Sequence, residues 1–150
     1  LQPALKSVLG SSPDDSLAEF TQRLDRAFGG RWSLSHLDRA RGQMILDHLG
    51  HGFTPFNPSW SLHARDPRPK TLDSYAEPQY AAWVAGMRKE VEDSQHEVFD
   101  QVDALVDFPN YGATRLRYCR VTSPVALADG SRFILSAAKT DTSINLRNAS

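Results

Sequence analysis

The last third of the chain constrains the fold most, because two strand-like runs flank a strong turn signal there. Residues 113–122 are rich in Thr, Tyr, Val and Leu, and residues 132–138 form a second run of this kind. Between them lies Asp129-Gly130, a dipeptide that β-hairpins favour. The pattern predicts an antiparallel pair of strands.

Length and composition narrow the class of protein. The chain has 150 residues, which fits one domain, and its formal net charge of -1 gives no field that would attract nucleic acid or anionic lipid. No apolar run approaches the roughly 20 residues that span a bilayer, so we expect no membrane segment here. The single Cys119 excludes an internal disulfide and favours a reducing compartment, which predicts a cytoplasmic protein.

The N-terminal part predicts a helix over residues 13–28. Ser12 can cap it, Pro13 suits its first turn, and Gly29-Gly30 ends it. A shorter helical turn precedes it, so residues 1–30 form an N-terminal helical segment. The apolar residues of the longer helix fall on one stripe, consisting of Leu17, Phe20, Leu24 and Phe28.

The middle of the chain predicts a hairpin, a loop and a second helix. Residues 32–37 and 43–49 read as two strands, and the four prolines of residues 50–70 indicate a long loop. A main helix follows over residues 73–93, with Asp73 or Ser74 near its cap and Pro78 in its first turn. Its apolar residues at helical spacing are Tyr80, Trp83, Val84, Met87 and Val91.

Residues 97–108 fit two structures. Val98, Val102 and Leu105 have helical spacing, whereas the residues from Val98 to Val106 also alternate as a strand requires. The turn-like residues 109–112 would make residues 102–108 and 113–122 a second hairpin if the strand forms.

The last third also resembles the closing hairpin of PAS-like sensor domains from bacterial signalling proteins. The resemblance runs from about residue 99 to 141 and favours a strand from about Val102. It implies an α+β fold, a PAS-like five-stranded antiparallel sheet with helices on one face and an N-terminal helix. Residues 31–141 would form the PAS-like core, and residues 142–150 a tail or the start of a linker. The matching residues are Arg117-Tyr118-Cys119-Arg120-Val121, Pro124, Asp129-Gly130 and Phe133-Ile134-Leu135.

The resemblance implies a noncatalytic sensory or regulatory domain. Such a domain binds a small molecule or a partner and relays the change to an attached output domain through a shift in population. The stripe of the N-terminal helices would pack on a second copy, giving a homodimer. One alternative is a small cone-shaped α+β enzyme acting on an apolar molecule, with Asp107 and His36 in its cavity. Another is an interaction domain of the same fold without a ligand.

The candidate ligand-binding residues mix apolar walls with cationic donors, as small-molecule pockets do. Arg120 shares a strand face with Tyr118, and a buried arginine there would need an anionic partner. For the aromatic residues, the alternative is that they only pin the loop and fill the core. The candidates are Phe56, Trp60 and His63 in the loop, Tyr80, Trp83 and Met87 on the main helix, and Tyr118 and Arg120 on the strand.

The other reactive side chains give weaker indications of function. His48, His51 and His63 are close in sequence, but Gly50 and Gly52 argue against a helical zinc motif, so surface roles are favoured over a metal site. The sequence leaves the cofactor unknown, and haem could be held by one axial histidine, His63 or His96. Cys119 is expected to be a buried inert thiol. The acidic residues Asp100, Asp103 and Asp107 are expected to form a solvated face rather than acid–base groups.

Overall fold

The computed structural model describes residues 1–51, 70–71, 78–108 and 112–146. Two helices come first, then two strands, then a third helix and three further strands, with one very short strand before the third helix. The elements are α1 (Gln2–Ser11), a 3-10 turn (Ser12–Asp14), α2 (Leu17–Phe28), β1 (Trp32–Asp38), β2 (Gln43–Leu49), β3 (Lys70–Thr71), α3 (Pro78–Ser94), β4 (Val98–Phe108), β5 (Gly112–Ala126) and β6 (Arg132–Thr140).

The strands form one sheet in the order β3-β2-β1-β6-β5-β4, and every neighbouring pair is antiparallel. Five of them are long, and the two-residue β3 adds a short edge. The α+β fold with a five-stranded antiparallel sheet and an N-terminal helix is therefore confirmed.

The β5–β6 hairpin closes where the turn signal predicts it. The amide of Leu127 donates to the carbonyl of Ser131 at 2.9 Å, and Gly130 takes a φ of 86° that disfavours other residues. Hydrogen bonds from Ser131 lower the pKa of Asp129. A carboxyl group whose pKa is lowered on folding stabilises the fold at any pH above its ordinary, unfolded-state pKa. This contribution is lost as the pH falls through the lowered pKa of the folded state.

The predicted start of α2 was wrong by four residues. Residues 12–14 form a separate 3-10 turn, and α2 begins after Ser16. The Ser16 hydroxyl accepts the amide of Glu19 at 3.2 Å and donates to its carboxylate at 3.2 Å. The Ser12 hydroxyl instead donates to the carbonyl of Leu9 at 3.0 Å, and Ser16 is the cap of α2. The end was predicted correctly, because Gly29 takes the left-handed conformation that terminates helices.

The ambiguous segment is a strand. β4 starts at Val98, earlier than the predicted Val102, and pairs with β5 from Val98 opposite Thr122 to Phe108 opposite Gly112. α3 ends at Ser94, close to the predicted end, while its predicted caps Asp73 and Ser74 lie outside the described residues. Of the helices in the described ranges, none is long and apolar enough to cross a membrane.

Helices cover both faces of the sheet. α1 and α2 cover one face of the sheet, which we call the N-terminal face, and pack against residues such as Leu135 and Ala137 of β6. On the other, here the α3 face, Val91 of α3 packs against Ile134, which points the opposite way along the same strand. Phe20 and Leu24 of the predicted dimer stripe are fully buried in the N-terminal cluster, so this part of the stripe cannot contact a second copy.

The chain crosses itself closely where β2 ends. The amide of Gly50 donates to the carbonyl of Trp32 at 2.8 Å, and a Cβ at Gly50 would overlap the carbonyl oxygen of Gly30 and lie 2.8 Å from Nε1 of Trp32. Only glycine fits between these groups without a shift of the backbone.

We expect Gly50→Ala to lower the free energy of unfolding by about 2–3 kcal/mol, because the clash is with backbone atoms. Urea denaturation measures the change. Gly10→Ala in α1 is the matched control: its Cβ meets nothing within 4 Å, so helix propensity should leave stability unchanged or raise it by about 0.5–1 kcal/mol. Equal stabilities of the two variants would contradict the close approach.

Candidate functional site

A set of buried polar side chains lies between α3 and the sheet, and we call it the polar patch. A sheet face covered by a helix is normally apolar, because burying a polar group costs free energy unless it is hydrogen-bonded. The patch therefore needs a reason beyond packing. It consists of Ser33 and Ser35 of β1, Arg88 of α3, Arg120 and Thr122 of β5, and Ser136 of β6.

The register places three hydroxyls of the patch in one row across the centre of the sheet. Ser33 lies opposite Ser136, and Ser136 lies opposite Thr122. Directly opposed residues have Cβ atoms about 4.5–5.5 Å apart, so the row is continuous over β1, β6 and β5. Ser33 is 1% exposed, and its hydroxyl has no hydrogen-bond partner among the described residues.

Arg120 stands at one side of this row. It is 4% exposed, and its Nε and Nη2 donate to the two carboxylate oxygens of Asp100 at 3.0 and 2.6 Å. Its guanidinium carbon lies 4.8 Å from the ring centroid of Trp83. The anionic partner that a buried Arg120 requires is thus a protein carboxylate. The expectation that Asp100 is solvated was wrong, because the register sets it directly opposite Arg120.

Arg88 stands at the other side of the row. It is 5% exposed, and its Nη1 donates to the hydroxyl oxygen of Ser35 at 2.6 Å. Sequence reasoning missed this residue, although it lies four residues after Val84 and three before Val91 on the stripe of α3 that contacts the sheet. A charged residue on an apolar helix stripe was the available signal.

Of the predicted ligand-binding residues, the structure brings Trp83 and Arg120 into contact. Tyr118 lies two residues before Arg120 on the same strand face, and Met87 lies one turn after Trp83. Trp83 is 46% exposed, so it is not simply a core residue. The Tyr80 backbone belongs to α3, but its side chain lies outside the described set, as do Phe56, Trp60 and His63 with Arg65 and Arg68.

His36 and His48 do not belong to the polar patch. His36 of β1 contacts the Asp47 carboxylate at 2.7 Å, and His48 packs edge-on against Phe133. Asp107 is exposed on β4, three strands away from β1, and it pairs with Ala113 of β5, whereas Ser35 beside His36 aligns through Ile134 with Pro124 near the other end of β5. Asp107 and His36 are therefore much farther apart than the roughly 14 Å of three strand spacings. The described residues contain no group of three or more His, Cys, Asp or Glu that could hold a metal ion.

The segment after β6, residues 141–146, folds back over the N-terminal face and is called the C-terminal strap. The Asp103 carboxylate accepts the amide of Leu146 at 2.8 Å and two bonds from Arg115 at 2.8 and 2.7 Å. Arg115 also donates to Asn145 at 2.9 Å, and the hydrogen bond with Asp103 raises the pKa of Arg115. Asp103 was expected to be solvated, but its side chain is fully covered.

Beside the strap an open groove of about 880 Å³ runs along the N-terminal face. Phe99, Cys119, Lys139 and Leu146 contribute to its lining. Cys119 is only partly buried, so its expected full burial was wrong. The lining mixes apolar and charged groups from the start of α1, from β4, β5 and β6, and from the strap.

No protein-family model matches the chain, and no curated protein matches it. The chemistry of the site must therefore be argued from its own geometry. Hydroxyls, guanidinium groups and an exposed indole are groups that bind and orient a small molecule.

We expect Asp100→Asn to lower the free energy of unfolding by about 2–3 kcal/mol, because it leaves the buried Arg120 without its carboxylate. Asp107→Asn is the control on the same strand; its side chain is exposed, so stability should stay within about 0.5 kcal/mol. Replacing the pair together, by Asp100→Leu and Arg120→Met, should recover most of the loss. Chemical denaturation of the wild-type protein, the two single variants and the double variant tests this. A double variant that is less stable than Asp100→Asn would contradict it.

Asp103→Asn should loosen the C-terminal strap, because the neutral amide cannot accept two bonds from Arg115 and one from Leu146 equally well. Amide exchange at Leu146 should accelerate by about tenfold or more, while exchange in the centre of β6 stays unchanged. Hydrogen-exchange mass spectrometry separates the two regions. Equal protection of the strap in the wild-type protein and the variant would show that other contacts hold it.

Proposed function

We propose that this chain is a PAS-like sensory or regulatory domain, which binds a small molecule between α3 and the sheet and relays the change to an attached output domain. The polar patch carries this proposal. The order of elements, two helices and two strands before α3 and three strands after it, agrees with the order that the resemblance implies. A cytoplasmic location is part of the proposal and is supported by the free thiol of Cys119.

The energetics of the patch favour a binding role over a purely structural one. Leaving a buried hydroxyl without a hydrogen-bond partner costs about 1–3 kcal/mol, and Ser33 has no such partner within the part of the chain that the structure describes. Alanine at this position would fit the same space without the cost. A ligand that pairs with the hydroxyl offsets the cost only in the bound state, as expected of a residue retained for binding.

The sheet supplies a short path from the patch to the N-terminal helices. Ser136 belongs to the patch, while its neighbours Leu135 and Ala137 contact the cluster of α1 and α2 on the other face. Val121 has the same relation to Arg120 and Thr122 on β5. A displacement of these two strands therefore reaches both faces, and the ligand can shift the population only by its differential affinity for the two arrangements.

The enzyme alternative receives less support. Its two residues, Asp107 and His36, lie on strands separated by two others, and His36 is engaged by Asp47. A homodimer at the N-terminal helices remains part of the proposal, but not through the whole apolar stripe of α2. Because Phe20 and Leu24 are buried within the chain, a second copy would have to contact the outer surfaces of α1 and α2.

Native mass spectrometry of the gently purified protein tests the binding function. We expect an additional mass below about 500 Da, as fits a pocket ligand, in the wild-type protein and in the control Thr21→Ala, which lies on α2 outside the patch. Thr122→Val, which removes a patch hydroxyl with little change of shape, should reduce the bound fraction severalfold. Absorbance of the same samples identifies haem or flavin. Equal occupancy in Thr122→Val and Thr21→Ala would locate the ligand elsewhere.

A further inference from the structure

We infer that the chain binds a second copy of itself through the outer edge of β4, so that the sheets of the two copies join edge to edge. Three properties of β4 support this contact: its open edge, the apolar side chains exposed beside that edge, and the register in which two β4 strands match. The contact requires neither a bound ligand nor the N-terminal helices.

β4 is a long edge strand. In the part of the chain that the structure describes, no strand lies beyond it and no backbone hydrogen bond reaches its outer edge. All 11 of its residues pair with β5 without a bulge, and it contains neither lysine nor proline, features with which proteins commonly block an edge. The opposite edge is formed by β3, which has only two residues. β4 is therefore the edge that offers a long row of backbone donors and acceptors to another strand.

The aspartates in the middle of β4 are directed toward β5. Asp100 accepts two hydrogen bonds from Arg120, and Asp103 accepts two from Arg115. Charged side chains on an edge strand normally keep other strands away. Because these two carboxylates are already neutralised within the chain, they lose most of that effect.

The N-terminal face of β4 exposes large apolar side chains beside this edge. Phe99 is 37% exposed and Leu105 is 56% exposed, and they share a face because an even number of residues separates them in the strand. Leu146 of the C-terminal strap is also exposed, and its amide is bound to Asp103 between them. Exposed apolar residues that cluster in this way mark an interaction surface.

Two β4 strands match in the antiparallel register that is centred on Val102 of both copies. Phe99 of each copy then lies opposite Leu105 of the other, and Val98 lies opposite Val106. Directly opposed apolar side chains stabilise a strand pair. Every such pair occurs twice, because a two-fold axis relates the copies.

The charges of β4 agree with the same register. Asp100 of one copy faces Ala104 of the other, and Asp103 faces Gln101. Over residues 98–106, no carboxylate of one copy opposes a carboxylate of the other. Like charges directly opposite each other would destabilise the pair.

Neighbouring registers are less favourable. Those that keep the N-terminal faces of both copies on one side are centred on Gln101 or on Asp103. They place Phe99 opposite Asp103 or Asp107, and the second also sets Asp103 against its own copy. The strand is therefore self-complementary in the register centred on Val102, which identifies a second copy as the occupant of the edge.

Sedimentation velocity and hydrogen exchange test the contact together. The paired segment spans about 30 Å, so we expect a small, transient interface, with a monomer at about 10 µM and an increasing dimer fraction toward about 1 mM. Alternate amides of β4 point away from β5, and NMR should show that they exchange at least about threefold more slowly at the higher concentration. Amides of α1 and α2 should not change.

Two exposed leucines distinguish pairing of the edge from general apolar association. Leu105→Lys introduces a charge opposite Phe99 of the other copy and should raise the dissociation constant of the dimer by at least about tenfold. Leu146→Lys makes the same change on the strap, off the strand, and should raise it by less than about threefold. Both leucines are at least half exposed, so the unfolding temperature of either variant should stay within about 2 °C of the wild-type value.

A charge reversal tests the register by strengthening the dimer. Just beyond the apolar pairs, Asp107 of one copy lies opposite Glu97 of the other, which is a repulsive contact. Asp107→Lys should lower the dissociation constant by about threefold or more, because two attractive pairs replace two repulsive ones. Asp14→Lys is the control, since it changes the net charge equally at an exposed position in the 3-10 turn before α2.

The outcomes separate this contact from ligand binding and from a dimer at the N-terminal helices. A monomer at 1 mM overturns the inference, as does a dimer that forms without slower exchange in β4. Equal effects of Leu105→Lys and Leu146→Lys, or of Asp107→Lys and Asp14→Lys, also overturn it. None of these results bears on an additional mass that depends on Thr122, which tests the proposed function by itself.

Discussion

The pairing of β5 with β6 is the interaction on which the remainder of the structure depends. Its register sets Val121 opposite Ala137 on the face that α1 and α2 cover, and Thr122 opposite Ser136 on the face that α3 covers. A slip of one residue would exchange the two faces, burying hydroxyls under the N-terminal helices and apolar residues under α3. The hydrophobic cluster of the N-terminal face and the polar patch therefore specify the same register from opposite sides.

Much of the backbone could be predicted from the sequence, because its signals are local. Asp129-Gly130 fixes the last hairpin, Gly29 ends α2, and alternation defines β1 and β2. Boundaries were less accurate where two local signals compete. Two serines could cap the second helix, and only Ser16 has a glutamate three residues later.

The candidate site could be predicted only in part, because its chemistry depends on contacts between distant residues. Arg120 and Trp83 were identified individually, yet their contact joins α3 to β5, which are far apart in the sequence. Asp100 and Asp103 resemble a solvated acidic face until the register with β5 sets arginines within reach of both. Serines in strands give almost no sequence signal, since their burial depends on which face the neighbouring helix covers.

The C-terminal strap changes the direction in which force would act on this domain. A polypeptide continuing from β6 without the strap would pull on the central strand of the sheet. With the strap in place, tension applied beyond Leu146 meets the Asp103 carboxylate on β4 at the margin of the sheet first. The hydrogen bonds that Arg115 makes with Asp103 and Asn145 would then break before those of the hairpin, so the edge of the sheet would protect the core from tension.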